Sequence, residues 1–511
     1  MKKILFVLFF LPSVMTAQSQ RQTIYSAVPD CNIQGFIPLQ GGGNLLAGYS
    51  RYGNDSSLIN LVFLNDSDVT VSHKEFNTLT HFDFMSCIAY TGNGFLIGGK
   101  SSDTGFFHPQ MIKTDLNGNV VWAKYFDNTS FWHGQIIRMI PNGNNFSMYT
   151  YAETPSNDLY RIETDANGNI STGFKSVPGI TVLFRVFDAE PIAGSSSHIL
   201  SGHANFNTGT TRGGLLMKTN QSGVQWCKHI TAGGNFKNDI VDVTVTSDGN
   251  SYSLFVCENM PGNQYSTIVL KFDSLGNKIW AKQLAITNGT LNGSSIIESS
   301  SHDFFVATYD NQLNAYITKI SASGTVSWTR KWEPSSTGGA SALKLFKDGS
   351  GNIVFTGKLG NSYFVSRLDL DATGCSFTDT TLVNVTNATT VLTDVSFTNT
   401  PFLGNAVSEP VTSSFLSYSE NLICGGTGVN EIENVNVVMV YPNPVKGQLY
   451  ISDEIPGKDP RMEIYDAFSK CVLSGSYMKN KGIDVSGFAT GVYFLRIHSG
   501  KKIYQGRFLV E

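Results

Sequence analysis

The stretch Met111–Phe126, MIKTDLNGNVVWAKYF, constrains this chain more than any other, because the chain keeps repeating it. It reads as two short strands joined by a turn. The turn glycines are Gly118, Gly168, Gly223, Gly276, Gly324 and Gly374, spaced by 50, 55, 53, 48 and 50 residues. Three residues before each stands Asp115, Asp165, Asn220, Asp273, Ser321 or Asp371. A short polar side chain there can accept hydrogen bonds from the backbone of the turn it opens. The glycine supplies the positive φ that a three- or four-residue hairpin loop needs. The strand after the turn usually carries a tryptophan: Trp122, Trp226, Trp280 or Trp328.

Each unit has a second half. An apolar strand ending in small residues precedes the hairpin, as in Leu45-Leu46-Ala47-Gly48, Phe95-Leu96-Ile97-Gly98 and Ile353-Val354-Phe355-Thr356-Gly357. A further strand lies upstream, such as Gln135–Ile140 or Ile240–Val245. Seven copies of this unit can be counted, the first hairpin being a degenerate one near Leu61–Val71. Four strands at a period of roughly 40–50 residues predict a propeller blade. One four-stranded sheet cannot bury both faces alone, so blades stack around an axis. The expectation is an all-β chain with a seven-bladed β-propeller over residues 28–380. A solenoid would have shorter coils, and a row of sandwiches would not repeat one hairpin so evenly.

The N-terminus reads as a signal peptide over residues 1–17. Lys2 and Lys3 precede the apolar run Ile4–Leu11, which is too short to span a membrane, and cleavage is expected after Ala17. Export permits disulfides. Of the seven cysteines none forms a Cys-x-x-Cys pair, which argues against a zinc or thioredoxin-like site. A bridge between Cys375 and Cys424 would tie the segment after the last blade to the propeller. That segment, with the Gly-rich stretch behind it, is read as a β-extension and linker over 381–436. The expected form is an extra hairpin capping blade seven or covering one face.

Residues 437–511 read as a small all-β sandwich. It is entered by Tyr441-Pro442-Asn443-Pro444, a sequence that fixes two φ angles and an extended approach to a strand. Glu463-Ile464-Tyr465-Asp466 follows, and later Gly487-Phe488-Ala489-Thr490-Gly491-Val492-Tyr493. In that order these motifs resemble the type A C-terminal sorting domain of the type IX secretion system of Bacteroidota, an Ig-like sandwich. The resemblance covers the C-terminal domain only. It implies passage across the outer membrane through the type IX machinery, removal of the domain, and release or attachment to surface lipopolysaccharide. The sorting signal would then include Tyr441, Pro442, Asn443, Pro444, Gly491 and Tyr493. The repeats also resemble the propeller cargo often found with such domains.

No catalytic motif is present: no Gly-x-Ser-x-Gly, no His-Glu-x-x-His and no Walker loop. Asp115–Asn119 fails the EF-hand pattern, since its glycine is early and no Glu closes the loop. His198 and His203 flank one strand and read as structural rather than as metal ligands. Asp239 and Asp242, three apart on a strand, would face opposite ways. Trp122/Lys124, Trp280/Lys282 and Trp328/Arg330 share a face, but their recurrence favours packing between blades over a binding site. A net charge of −4 without a basic stripe excludes nucleic acid as an expected partner. No catalytic residue, metal site or cofactor is assigned. The chain is expected to be a secreted or surface propeller that binds a glycan or macromolecule. The inter-strand loops Asn205–Gly214 and Glu258–Tyr265 are the candidate places for it. The alternative is a polysaccharide-active enzyme using carboxylates in the propeller channel.

Overall fold

The computed structural model describes residues 21–510 except 27–30, 41, 53–55, 79–81, 103–106, 128–133, 144, 152–157, 179–181, 207–211, 233–234, 247–249, 260–263, 288, 334–338, 361, 369–376, 402–404, 409, 415–418, 426–434, 439, 452–454, 456–459, 467–470, 480 and 500–501. Among these residues every regular element is a strand. The chain divides into two compact units, residues 1–426 and 427–511.

The first unit holds seven antiparallel modules of one plan. Module 1 runs Cys31–Pro38, Asn44–Tyr52, Ser56–Leu64 and Thr70–Thr78, each strand pairing with the next. Modules 2 to 6 repeat this and begin at Phe82, Gln135, Val182, Asn235 and Leu291. Module 7 supplies three strands, Ala340–Lys347, Ile353–Leu359 and Ser362–Leu368. Its fourth is the N-terminal strand Arg21–Ser26, which pairs antiparallel with Ser362–Leu368. The N-terminus therefore closes the last module, and the unit begins upstream of the expected residue 28.

The first strands of successive modules pack on one another, and module 7 packs back on module 1, so the order is cyclic. Seven apolar clusters fill the seven gaps. That between modules 6 and 7 holds Phe305, Ile317, Trp332, Leu343 and Phe355. That between modules 7 and 1 holds Tyr25, Ile33, Leu46, Val62 and Tyr363. The hairpin signal is part of this packing. Gly168 has φ 73°, and a Cβ there would lie 2.6 Å from the Trp122 ring of the module before. Gly276 faces Trp226 and Gly324 faces Trp280 in the same way. At Gly168 the glycine is thus demanded twice, by its backbone and by the preceding module's indole.

The described residues of 377–425 form no hairpin cap. They run as seven short strands around the outside of the unit, one on each module. Phe377–Asp379 pairs with module 6, Val383–Asn387 with module 5, Thr390–Asp394 with module 4 and Phe397–Pro401 with module 3. Asn405–Ser408 pairs with module 2, Val411–Ser414 with module 1, and Ser419–Gly425 with the closing strand Arg21–Ser26. Every pairing is antiparallel, and the strand starts fall six to eight residues apart. This belt covers the outer edge of all seven sheets, edges that would otherwise offer unpaired N–H and C=O groups to other chains. Its apolar side chains enter the gaps: Val383 joins the cluster of modules 5 and 6, and Val395 that of modules 3 and 4.

The second unit, described by itself, has a five-stranded sheet of Val435–Val437, Lys502–Val510, Gly491–Ser499, Arg461–Asp466 and Cys471–Ser476, in that spatial order. A three-stranded sheet is made by Val440–Tyr441, Gln448–Ile451 and Ile483–Asp484. The alternation of Gly491–Ser499 sends Tyr493, Leu495 and Ile497 to one core with Leu449, Ile464, Val485 and Phe508.

Candidate functional site

The first strand of every module carries a β-bulge at the same level. The register slips between Ile33 and Gly35, Met85 and Cys87, Ile136 and Arg138, Val186 and Asp188, Ile240 and Asp242, Gly293 and Ser295, and Ser341 and Lys344. A bulge leaves one residue unpaired and re-aims its side chain. Here the unpaired residues Gln34, Ser86, Ile137 and Phe187 turn toward a central cavity of about 380 Å³ that all seven first strands line. The small residues of the second strands are explained by the same feature. A Cβ on Gly48, Gly99 or Gly202 would lie 2.0, 1.8 or 1.9 Å from the carbonyl oxygen of Asn32, Phe84 or Arg185, just before the bulge.

The residue after the bulge reaches the neighbouring module. Asp242 Oδ2 accepts from the Ile296 N–H at 2.8 Å, and Ser295 Oγ from the Leu345 N–H at 3.2 Å. Cys87 accepts from the Met139 N–H, and burial pushes its thiol up to about 12. These contacts satisfy backbone donors that the inner edge would leave unpaired.

Modules 3 to 5 and 7 place charges at this level: Arg138, Asp188, Asp242 and Lys344. Arg138 pairs with Glu190 and lies 3.8 Å from Asp188. Burial raises the Glu190 carboxyl to about 7 against the pull of Arg138. Burial also raises Asp242 to about 7; Lys344 opposes the shift and Asp188 adds to it. Both oxygens of Asp242 accept backbone N–H groups, Oδ1 from Val243 and Oδ2 from Ile296. Among the described residues no group of His, Cys, Asp and Glu is arranged to hold a metal ion.

At the end where first strands begin and second strands finish, the cavity opens into a mouth of about 430 Å³. Modules 1 to 4 frame it with Tyr49, Arg51, Phe84, Lys100, Tyr151 and Arg185, over a floor that includes Gln34, Ser86 and Phe187. Tyr49 meets Phe84 edge-on at 5.3 Å. The Arg51 guanidinium lies 5.5 Å from the centre of the Phe84 ring, and Lys100 Nζ lies 4.1 Å from that of Phe107. Aromatic faces beside hydrogen-bonding cations suit a flat, polar ligand. The loops Asn205–Gly214 and Glu258–Tyr265 join second to third strands and so belong to this end, but their centres, 207–211 and 260–263, lie outside the described residues.

The residues singled out from sequence fall in three groups. His198 and His203 are structural. His198 Nδ1 bonds the Tyr149 hydroxyl at 2.6 Å, and burial lowers the ring to about 3. His203 Nδ1 lies 3.0 Å from Asp239, whose other oxygen takes Arg212 at 2.5 Å. Asp239 and Asp242 therefore serve different neighbours. The cations beside the tryptophans bind the next turn or the belt: Lys124 donates to Asn169 at 2.6 Å, Lys282 to Asn387 at 2.8 Å and Arg330 to Asp379 at 2.8 Å. Asp115 closes its own turn: its carboxylate accepts from the Asn117 and Asn119 N–H groups at 2.8 and 2.7 Å. Ala17 and Cys375 lie outside the described residues, as does the side chain of Cys424. The bulge residues and the mouth were not singled out, although Gln34, Ser86, Ile137 and Phe187 recur at the module period.

In the second unit the Tyr-Pro-Asn-Pro motif is a clasp on the last strand. Asn443 Oδ1 accepts from the Leu509 N–H at 2.9 Å, its Nδ2 donates to the Arg507 carbonyl at 3.2 Å, and Val445 N–H donates to the Leu509 carbonyl at 2.8 Å. Both prolines, Pro442 and Pro444, follow cis peptide bonds, and Tyr441 stacks on Tyr450 at 5.8 Å. Tyr493 donates its hydroxyl to the Ala489 carbonyl at 2.8 Å and stacks on Phe508 at 5.7 Å. Gly491 opens its strand, and a Cβ there would meet only the Tyr493 ring at 4.0 Å, ordinary contact that does not require a glycine. Among the described residues no helix is long and apolar enough to cross a membrane.

No curated protein matches the chain. Among solved structures, a crystal structure of an ACO/RPE65 chimera aligns at 11% identity over 71% of this chain and 93% of that one, with a TM-score of 0.39, values below those of a shared fold. Residues 439–511 match the family model described as the secretion system C-terminal sorting domain. With the clasp and sandwich in place, that match marks the protein as one exported by the type IX secretion system, to the cell surface or into the medium.

Proposed function

We propose that the first unit is a seven-bladed β-propeller, the cargo that the sorting domain of a Bacteroidota-type secretion route carries out of the cell, and that it binds a glycan or other macromolecule at the mouth of its axis. The cyclic packing of seven modules and the closure of the last by the N-terminal strand support the propeller reading. The observation that carries the binding reading is the mouth itself, an open cavity where rings and polar side chains of four modules converge. Ligand sites are commonly concave places where loops of a rigid scaffold meet. On this reading the sorting domain is removed after passage, and the propeller is released or joined to surface lipopolysaccharide.

A glycan array probed with the mature protein tests it. Binding that Phe84→Ala abolishes supports the mouth as the site. Binding that Phe84→Ala leaves intact overturns it.

A second reading, a polysaccharide-active enzyme, draws on the channel carboxyls with values near 7. Their geometry favours binding instead. Both oxygens of Asp242 are engaged by backbone N–H groups, those of Val243 and Ile296. Glu190 is held by Arg138. Sugar-release assays on the array's positive glycans should show no products.

A further inference from the structure

We propose that the ligand of the mouth is a pyranose sugar that lays its apolar face on Phe187, a ring held from behind by His203, Asp239 and Arg212. The inference rests on the binding reading above and narrows it to one ligand class and one receiving residue.

Phe187 is the unpaired residue of the module 4 bulge, since the register slips between Val186 and Asp188. The bulge turns it to the floor of the mouth and the wall of the central cavity, both of which it lines. The side chain is 38% exposed there. On a convex surface a lone exposed ring needs no explanation. Inside a concave opening, an aromatic face left to water is the kind of wall against which ligands pack.

The backing is built from two modules. The Phe187 ring meets the His203 imidazole in an edge-to-face contact at 5.1 Å. His203 Nδ1 lies 3.0 Å from Asp239, and the other oxygen of Asp239 takes Arg212 at 2.5 Å. His203 lies on the second strand of module 4, Arg212 opens the third, and Asp239 lies on the first strand of module 5. None of the three side chains is more than 28% exposed. Taking such groups out of water is costly, and good mutual geometry offsets the cost. The outcome is an imidazole, and through it a phenyl ring, fixed in one orientation, as a receiving surface requires.

The rest of the floor suits a sugar. The bulge of module 3 adds Ile137, and those of modules 1 and 2 add Gln34 and Ser86. One side of the floor is therefore apolar and the other hydrogen-bonding. A pyranose divides in the same way: its C–H groups make a flat apolar face, and its hydroxyls radiate from the edge. A peptide would instead call on strand edges with open N–H and C=O groups. At this level the N–H groups of Ile296 and Leu345 already serve Asp242 and Ser295 of the neighbouring modules.

The experiment uses the mature protein, a set of neutral pyranose oligosaccharides and a set of unstructured peptides of similar length. Affinities are measured for the parent, Phe187→Ala, Phe187→Leu, Phe187→Tyr and His203→Gln. The oligosaccharides should bind and the peptides should not. Phe187→Ala and Phe187→Leu should each lower affinity about tenfold, the size expected when an aromatic anchor is removed, while Phe187→Tyr stays near the parent. Because Phe187 is exposed, its variants should keep the parent melting temperature. His203→Gln should weaken binding by itself and add nothing in a chain that already carries Phe187→Ala, a non-additivity that a purely structural role would not produce.

Sugar binding unmoved in Phe187→Ala, or kept in full by Phe187→Leu, would overturn the proposal. Loss of sugar binding in Phe84→Ala but not in Phe187→Ala would leave the mouth as a glycan site while sinking Phe187 as its platform. Binding of the peptides alone would sink the sugar class, and binding of neither set would sink the mouth reading as well.

Discussion

Asp242 shows how much one residue can hold. It lies after a bulge, accepts the Ile296 N–H of the next module, and feels the charge of Asp188 of the module before, which adds to the rise that burial imposes on its carboxyl. Asp242 and Glu190 have folded-state values of about 7, above the ordinary carboxyl range. The folded protein therefore keeps protons that the unfolded chain has released. The stability this confers is complete below about pH 4 and is lost as pH rises to about 7. Asp242→Asn keeps an acceptor for Ile296 and removes the group that must ionise in a buried place. Chemical melts should find the variant more stable than the parent at pH 8, by on the order of 2 kcal/mol, and equal to it below about pH 4. A variant less stable at both would show that Asp242 is needed charged. Gly168 makes the complementary case. Gly168→Ala forces an L residue to φ 73° and into the Trp122 ring. It should cost about 1–3 kcal/mol, read from denaturant midpoints followed by tryptophan fluorescence. An unchanged midpoint would mean that the turn relaxes without cost.

At the scale of elements, the belt is the unexpected one. Its strands are three to seven residues long, too short to stand without an edge to pair with. Between them, backbone N–H groups still find the modules: Ala388 donates to the Ala281 carbonyl at 3.1 Å and Val395 to that of Cys227 at 3.0 Å. Asn399 stitches two modules, accepting from Ser176 Oγ at 2.6 Å and from the Val224 N–H at 3.2 Å. Removal of residues 377–425 would uncover seven sheet edges at once. The shortened protein should self-associate at concentrations where the parent is a single species, as sedimentation or size-exclusion chromatography would show. A belt-less chain with unaltered size and melting temperature would reduce the belt to a passive tether. The hairpins were legible because each turn carries its own chemistry in five residues. The belt was not, because its Thr- and Asn-rich segments alternate weakly and owe their strand form to partners 45 to 404 residues away in sequence, Phe377 to Trp332 at one extreme and Gly425 to Arg21 at the other.

For the whole molecule, both chain ends of the first unit meet on module 7. Arg21–Ser26 closes it, and Ser419–Gly425, the belt's last strand, lies on that closing strand. Tyr25 locks the closure by donating to the Asp68 carbonyl at 2.5 Å and stacking on Tyr363 at 4.8 Å, while Arg367 pairs with Asp68 at 2.6 Å. Export depends on the other unit. Asn443→Ala removes both side-chain bonds to the final strand. The exported fraction should fall, with full-length protein accumulating in the cell, as fractionation and immunoblotting would measure. Export at the parent level would show that the clasp serves folding of the domain without bearing on its recognition.

The sequence alone determined the period, the turn geometry and the presence of the C-terminal sorting domain. Each is written in a few adjacent residues whose hydrogen bonds close locally: Asp115 onto Asn117 and Asn119, Gly118 at positive φ, Asn443 beside its prolines. Tertiary structure decided which strand seals the seventh module, where the belt runs, and which side chains face the central cavity. Those outcomes rest on pairings between distant edges and on bulges, where one extra residue turns a side chain without changing the sequence's alternation enough to mark it.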